Sequence, residues 1–378
     1  MSGKRNDIGG AGEKSQLRSL TSLRFFAAMV VVFFHCGREF RFPAWTGDFF
    51  QNGYEAVSFF FVLSGFILTY VYASDRNTSV PRRRFWVARI ARICPVYYLA
   101  LFVDLPRLLY SVFSVGNTPK PRFVLAASSS PLFLQSWIPT AEDIWNIPGW
   151  SLSVEAFFYL LFPFIVGPLR RGRPGRVLTS AVIAVITVGA LRAIVSDPAN
   201  SFPPALREIM HFSPLLHLPQ FVLGIATAGL FLNGMKIGSL RAEVLLVAVA
   251  AVVSALFWFR SRLPFFATSD AVLAPLHAVL IYAAAQSVGP VSNTLSRQLL
   301  VWCGEISYGV YILHAPLFFL WMRGAERILH LSPVAALWTF IPTLLLVCSA
   351  VYYFIERPAR IALGDRLIRR ATPPMSPA

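Results

Sequence analysis

Apolar residues in this chain come in long blocks rather than in the strict alternation of a strand or the one-sided spacing of a surface helix. Ten windows of about 20 mostly apolar residues stand out, at about 20–36, 54–73, 94–113, 152–169, 177–195, 214–232, 242–259, 270–287, 304–322 and 334–355. Each is long enough to cross a hydrocarbon core about 30 Å thick as a helix. The pattern predicts an all-α, polytopic membrane helix bundle of about ten transmembrane helices. The third block is the least clean, because "YYLALFVDLPRLLY" holds Asp104, Pro106 and Arg107. Asp104 and Arg107 are expected to form a local ion pair. No repeat of 20–50 residues and no linker interrupts the blocks. The expected organisation is a basic tail at 1–19, one transmembrane domain at 20–358 and a second tail at 359–378.

Charge orients the bundle. The N-terminal tail carries Lys4, Arg5, Lys14 and Arg18. "PRRRFWVARIAR" follows the second block, "RRGRPGR" the fourth, and Arg357, Arg360, Arg366, Arg369 and Arg370 lie in or after the end of the tenth. An even number of spans puts all of these on one side, where about 22 of the 34 Lys and Arg gather. Both termini are therefore expected to be cytoplasmic. The first block lacks a small-residue cleavage site after it and is read as a retained span, not a signal peptide. The longest segment expected on the opposite side, about 114–151, carries Trp137, Trp145 and Trp150, which suit an interfacial belt.

Composition agrees with a membrane protein. The chain is 56% hydrophobic and 14% charged with 33 Phe, whereas a soluble domain carries roughly 25% charged residues. A net charge of +16 could suggest nucleic acid. Topology-setting loops account for it, so no nucleic-acid partner is expected. Cys36, Cys94, Cys303 and Cys348 show neither a disulfide framework nor metal-ligand spacing, and no metal site is read.

Few ionisable groups lie within the blocks, and such groups usually face a protein interior or an aqueous cavity. Arg24 and His35 are eleven residues apart, within about 20° of three full helical turns and about 16 Å along one face. Arg24 could be a snorkelling anchor or a substrate contact, and His35 an interfacial hydrogen-bonding group or a base. In "GWSLSVEAFFYLLFP", Glu155 has Ser151 at i−4 and Tyr159 at i+4 on its face. The topology puts Glu155 and His35 at similar depth, where a carboxylate bonded to one imidazole nitrogen would raise the basicity of the other. Arg82, Arg89 and Arg92 share a face if their stretch is helical, either as positive-side anchors or as a phosphate clamp. His314 sits mid-span, lining a cavity or packed. His217 and His277 lie near prolines and are uninformative singly, and Glu356 closes the last span.

With these stretches in view, the chain resembles the acyltransferase-3 family of integral-membrane O-acyltransferases over about residues 17–360. The resemblance rests on "LRSLTSLRFFAAMVVVFFH", "FFFVLSGFILTY", "RFWVARIARICPVYY", "GWSLSVEAFFYLLFP", "EISYGVYILHAPL" and "FIERPAR", in that order. It implies acyl transfer to hydroxyls of polysaccharides, lipopolysaccharide or related acceptors at the bacterial cytoplasmic membrane. The donor would be cytoplasmic acyl-CoA, usually acetyl-CoA, used as a substrate with no permanently bound cofactor. His35 would be the essential catalytic residue, Arg24 would complete an Arg-x10-His pattern, and Glu155 would fill the family's acidic position. The expected site thus comprises His35 and Glu155 for catalysis and Arg24, Arg82, Arg89 and Arg92 for the donor. Ser151, Tyr159 and His314 are expected around the acceptor. Some relatives carry an extra esterase-like domain. These 378 residues leave no room for one, so transfer is expected to finish in the membrane domain. The rival class is a proton-coupled transporter using intramembrane His, Asp and Glu; against it, no inverted repeat is visible.

Overall fold

A computed structural model describes residues 8–40, 49–73, 80–197 and 199–362. No strand occurs among the described residues. The helices are α1 (Ile8–Phe40), α2 (Ala56–Tyr72), α3 (Arg82–Leu109), α4 (Lys120–Ser129), α5 (Trp150–Arg171), α6 (Pro174–Ser196) and α7 (Pro204–Phe212). They continue with α8 (Pro214–Leu232), α9 (Ser239–Trp258), α10 (Phe265–Thr268), α11 (Asp270–Gln286), α12 (Pro290–Leu295), α13 (Gln298–Arg327) and α14 (Pro333–Val351). Among the described residues ten helical stretches are long and apolar enough to cross a membrane, and they coincide one for one with the ten sequence blocks. Together with the family assigned below, they make the chain a multi-pass membrane protein. Their sidedness remains an expectation.

Local chemistry sets the boundaries. Several helices (α6, α7, α8, α12 and α14) open on proline, whose fixed φ and missing N–H suit a first helical position. Pro95, Pro106, Pro219, Pro275, Pro316 and Pro342 lie inside helices. Neighbouring helices can re-satisfy the backbone groups that such prolines free in a bilayer. The ion pair expected within α3 forms: Arg107 donates to both Asp104 oxygens at 2.7 and 2.6 Å. Asp104 also accepts from the Asn146 backbone at 2.8 Å, which ties α3 to the segment before α5. The tryptophans of that segment do not all form a belt. Trp137 is exposed, whereas Trp150 is buried and Trp145 donates to the Leu101 carbonyl at 3.0 Å.

The chain divides into two compact units. The first comprises 1–74, 168–211 and 215–311; the second comprises 75–167, 212–214 and 312–378. In the first unit α11 is the central helix, with α1, α2, α6 and α9 packed around it. It is apolar nearly all round and ends in "AAAQ", small side chains that let neighbours approach. Its start is capped by the Ser269 hydroxyl, which accepts from the Ala271 backbone. In the second unit α3 packs against a π-helical turn, Tyr352–Glu356, that continues α14. Bulky apolar side chains such as Phe102, Leu346 and Phe354 are strongly exposed, as lipid-facing positions would be.

Candidate functional site

The first unit carries Arg24 and His35 on α1. That helix is unbroken from Ile8 to Phe40, so the eleven-residue spacing corresponds to about 16 Å of rise on one face. His35 Nδ1 lies 3.0 Å from the Val31 carbonyl. A carbonyl only accepts, so Nδ1 holds the hydrogen and the neutral ring keeps its lone pair on Nε2. The helix itself thus fixes the tautomer. At its other end α1 is fastened by Arg18 to Gln298 at 3.0 Å, and by Ser19 to Ser292 at 3.0 Å and Ser296 at 3.2 Å.

A short 3₁₀ turn, Gly53–Glu55, lies against the His35 end of α1. A Cβ on Gly53 would come within 2.6 Å of Phe34 Cβ and 2.7 Å of the Val30 carbonyl, so only glycine permits this approach. The next residue, Tyr54, packs its ring 5.6 Å from Phe34 and 5.5 Å from His211. Phe34 in turn lies 4.9 Å from the imidazole of His35.

Beyond Tyr54 is a buried polar cluster that sequence reasoning missed. Arg192 on α6 pairs with Asp270 at the start of α11, and both are nearly inaccessible. Gln220 on α8 donates to the same Asp270 oxygen. His217 Nε2 donates to the His211 carbonyl at 2.9 Å, leaving its Nδ1 to accept from Gln220 at 3.3 Å. Glu55 is buried within electrostatic range of Asp270, Arg192 and Arg260. Arg192 and Arg260 thus lie near two acidic side chains, Glu55 and Asp270. Nearby, His277 is bonded to Ser58 at 2.7 Å. The topology alone held one clue: Arg192 and Asp270 close the fifth and open the eighth block, opposite charges at the same expected membrane face.

The second unit holds the other candidate residues. The arginine stretch is helical, the condition on which Arg82, Arg89 and Arg92 share a face. The Arg82 guanidinium lies 4.5 Å from the Phe164 ring, and that of Arg89 lies 5.8 Å from the Tyr159 ring. The Tyr159 hydroxyl donates to Glu155, and the Trp86 indole donates to the Tyr159 carbonyl at 3.0 Å. Arg89, Tyr159 and Glu155 thus form a polar track along α5. Arg360 lies within electrostatic range of Arg89 and Arg92, and Glu356 pairs with it at 3.5 Å. Cations therefore outnumber anions at this end of α3. Ser151 donates to the Pro148 carbonyl at 3.0 Å at the entry to α5. His314 is fully buried, two residues after Ile312, whose carbonyl accepts from Asn146 at 3.2 Å. The structure thus joins Glu155 to Tyr159 and gathers Arg89 and Arg92 with Arg360. Arg24 and His35 belong to the first unit.

A ten-span bundle with titratable groups built into its helices is the class of molecule these features define. The chain belongs to the acyltransferase-3 family: the family described as an acyltransferase domain matches residues 17–354. It is an acyltransferase embedded in a membrane. The acyltransferase MdmB of Streptomyces mycarofaciens is 29% identical over 83% of this chain and 81% of its own length. The exopolysaccharide production protein ExoZ of Rhizobium meliloti is 28% identical over 83% of this chain and 91% of its own. The peptidoglycan O-acetyltransferase OatA of Listeria monocytogenes is 24% identical over 79% of this chain, but the match spans only 49% of OatA. No solved structure matches this one.

Proposed function

We propose that this chain moves an acyl group, acetyl in the first instance, from cytoplasmic acyl-CoA to a hydroxyl of a cell-surface or exported glycan or glycolipid, with His35 as general base. The observation that carries the reading is the bond from His35 Nδ1 to the Val31 carbonyl, which leaves Nε2 as the basic atom at one end of a membrane span. The names of OatA and ExoZ support a glycan as acceptor class. The basic loops and tails support cytoplasmic termini, and the bacterial sources of the relatives support a bacterial cytoplasmic membrane.

The chemistry balances without a resident cofactor. His35 Nε2 takes the acceptor hydroxyl's proton as its oxygen attacks the thioester carbonyl. The tetrahedral adduct expels the CoA thiolate, the C–S bond breaks, and the imidazolium returns its proton to sulfur. Arg82, Arg89 and Arg92, with Arg360 beside them, are the proposed phosphate contacts for the nucleotide, since guanidinium forks suit phosphate oxygens. Arg24 would meet the donor arm from the same side of the bilayer. Glu155, held by Tyr159, is the proposed supporting carboxylate of the catalytic pair, and Ser151 and His314 are assigned to the acceptor.

Membranes containing the chain, supplied with acetyl-CoA labelled in the acetyl group, should transfer label to endogenous glycan. A transporter would transfer none. Replacing Arg89 and Arg92 together by Gln should raise the KM for acetyl-CoA by about tenfold or more, the equivalent of one or two charged hydrogen bonds. An unchanged donor KM would remove these arginines from the site.

A further inference from the structure

Within the first unit a pocket of about 180 Å³ opens beside the Gly53–Glu55 turn, lined by Gln51, Arg260, Ser261, Leu263, Phe265 and Thr268. We propose that this pocket is an acceptor subsite that holds one neutral sugar ring next to the reacting unit of a longer saccharide. The inference rests on the glycan-acyltransferase reading and adds to it where the acceptor is gripped.

The lining argues for a hydroxyl-rich ligand. Gln51, Arg260, Ser261 and Thr268 supply donors and acceptors from two separate segments, while Leu263 and Phe265 supply an apolar wall. A pyranose presents the same mixture, a rim of hydroxyls around C–H faces. Small-molecule sites are built in this way, from apolar walls and a few placed polar groups. The volume lies below the roughly 300 Å³ at which drug-sized pockets begin and suits a single ring. Arg260 is held at the pocket by the turn itself, its Nε donating to Asn52 Oδ1 at 2.8 Å.

The position also fits the acceptor. Arg260 lies 5.7 Å from the Tyr54 ring, Tyr54 lies 5.6 Å from Phe34, and Phe34 lies 4.9 Å from His35. The pocket is therefore linked to the proposed base by three short aromatic steps within one unit. His35 itself does not line it, so the reacting hydroxyl sits elsewhere and the pocket serves a neighbouring ring. Asn52 also donates to the Thr268 carbonyl at 3.3 Å. Occupancy of the pocket would thus be felt by the turn that packs against the His35 end of α1.

Ser261 is exposed on the rim, so Ser261→Trp fills the pocket without entering the core. Gln51→Ala removes one polar contact at another exposed position. With labelled acetyl-CoA and cellobiose, cellotriose and methyl β-glucoside as acceptors, Ser261→Trp should raise the KM of the two longer sugars by about tenfold. The KM for methyl β-glucoside and for acetyl-CoA should not change. Saturation-transfer NMR on the purified protein should show cellobiose binding to the wild type, weakened in Gln51→Ala and lost in Ser261→Trp. Equal binding and equal KM values in all three proteins would overturn the subsite. So would the absence of any saturation transfer from the wild type to cellobiose, or competition by inorganic phosphate. If no protein acylates anything while cellobiose binding still depends on Ser261, the glycan-acyltransferase reading fails and the pocket stands.

Discussion

At the scale of single residues, two kinds of polar group share this apolar interior, and their chemistry separates them. His35 has one ring nitrogen occupied by its own helix and is left with one basic atom. Arg192 pairs with Asp270, which also accepts from Gln220, and a structural cluster is built in this way. Removing one member of such a pair leaves an uncompensated buried charge. Arg192→Met should therefore cost about 3–5 kcal/mol, seen as a lowered melting temperature in detergent. Adding Asp270→Leu should recover most of the loss, because replacing both partners by apolar groups is often nearly neutral. A double variant no more stable than the single one would show that Asp270 has obligations beyond Arg192. His35, Arg24 and Glu155 were legible in the sequence because each interrupts an apolar run. Glu55, Arg192 and Asp270 were not, because they stand at span ends, where charges are ordinary and their partners lie 50 or more residues away.

Among elements, hydropathy located every span but not every end. Its third block begins near residue 94, whereas α3 begins at Arg82, because arginines are good helix formers and their stems can lie along apolar surface. Close helix crossings were also hidden from hydropathy. A Cβ on Gly65 of α2 would meet the Phe221 carbonyl at 2.1 Å, and one on Gly224 of α8 would meet the Val62 carbonyl at 2.0 Å. The two glycines face each other's backbones, the small-residue contact by which membrane helices approach most closely. Gly65→Ala and Gly224→Ala should each destabilise the protein by about 1–3 kcal/mol or more, as overpacking does. A Cβ on Gly175 would meet nothing from the rest of the fold within 4 Å, and Gly175→Ala is the matched control. Melting temperatures of the three variants check this, and equal values would disprove the crossing.

For the whole molecule, the ten spans follow from length and apolarity, while sidedness follows from charge alone. With the native cysteines replaced, a cysteine at Gly172 should resist a membrane-impermeant maleimide applied to intact cells. One at Ser201 should react. The reverse labelling would invert the topology and with it the side from which the donor must come. Two compact units were not legible in the sequence, because each is assembled from distant stretches of chain with no linker between them.

The central claim is that His35 removes the acceptor's proton, and the most direct measurement is the rate of label transfer from acetyl-CoA to endogenous glycan in membranes carrying His35→Ala at wild-type abundance. General-base assistance is typically worth about 10²–10⁴-fold, and the rate should fall by at least that range's lower bound. A His35→Ala protein that inserts normally and transfers at a rate near wild type would contradict the mechanism outright.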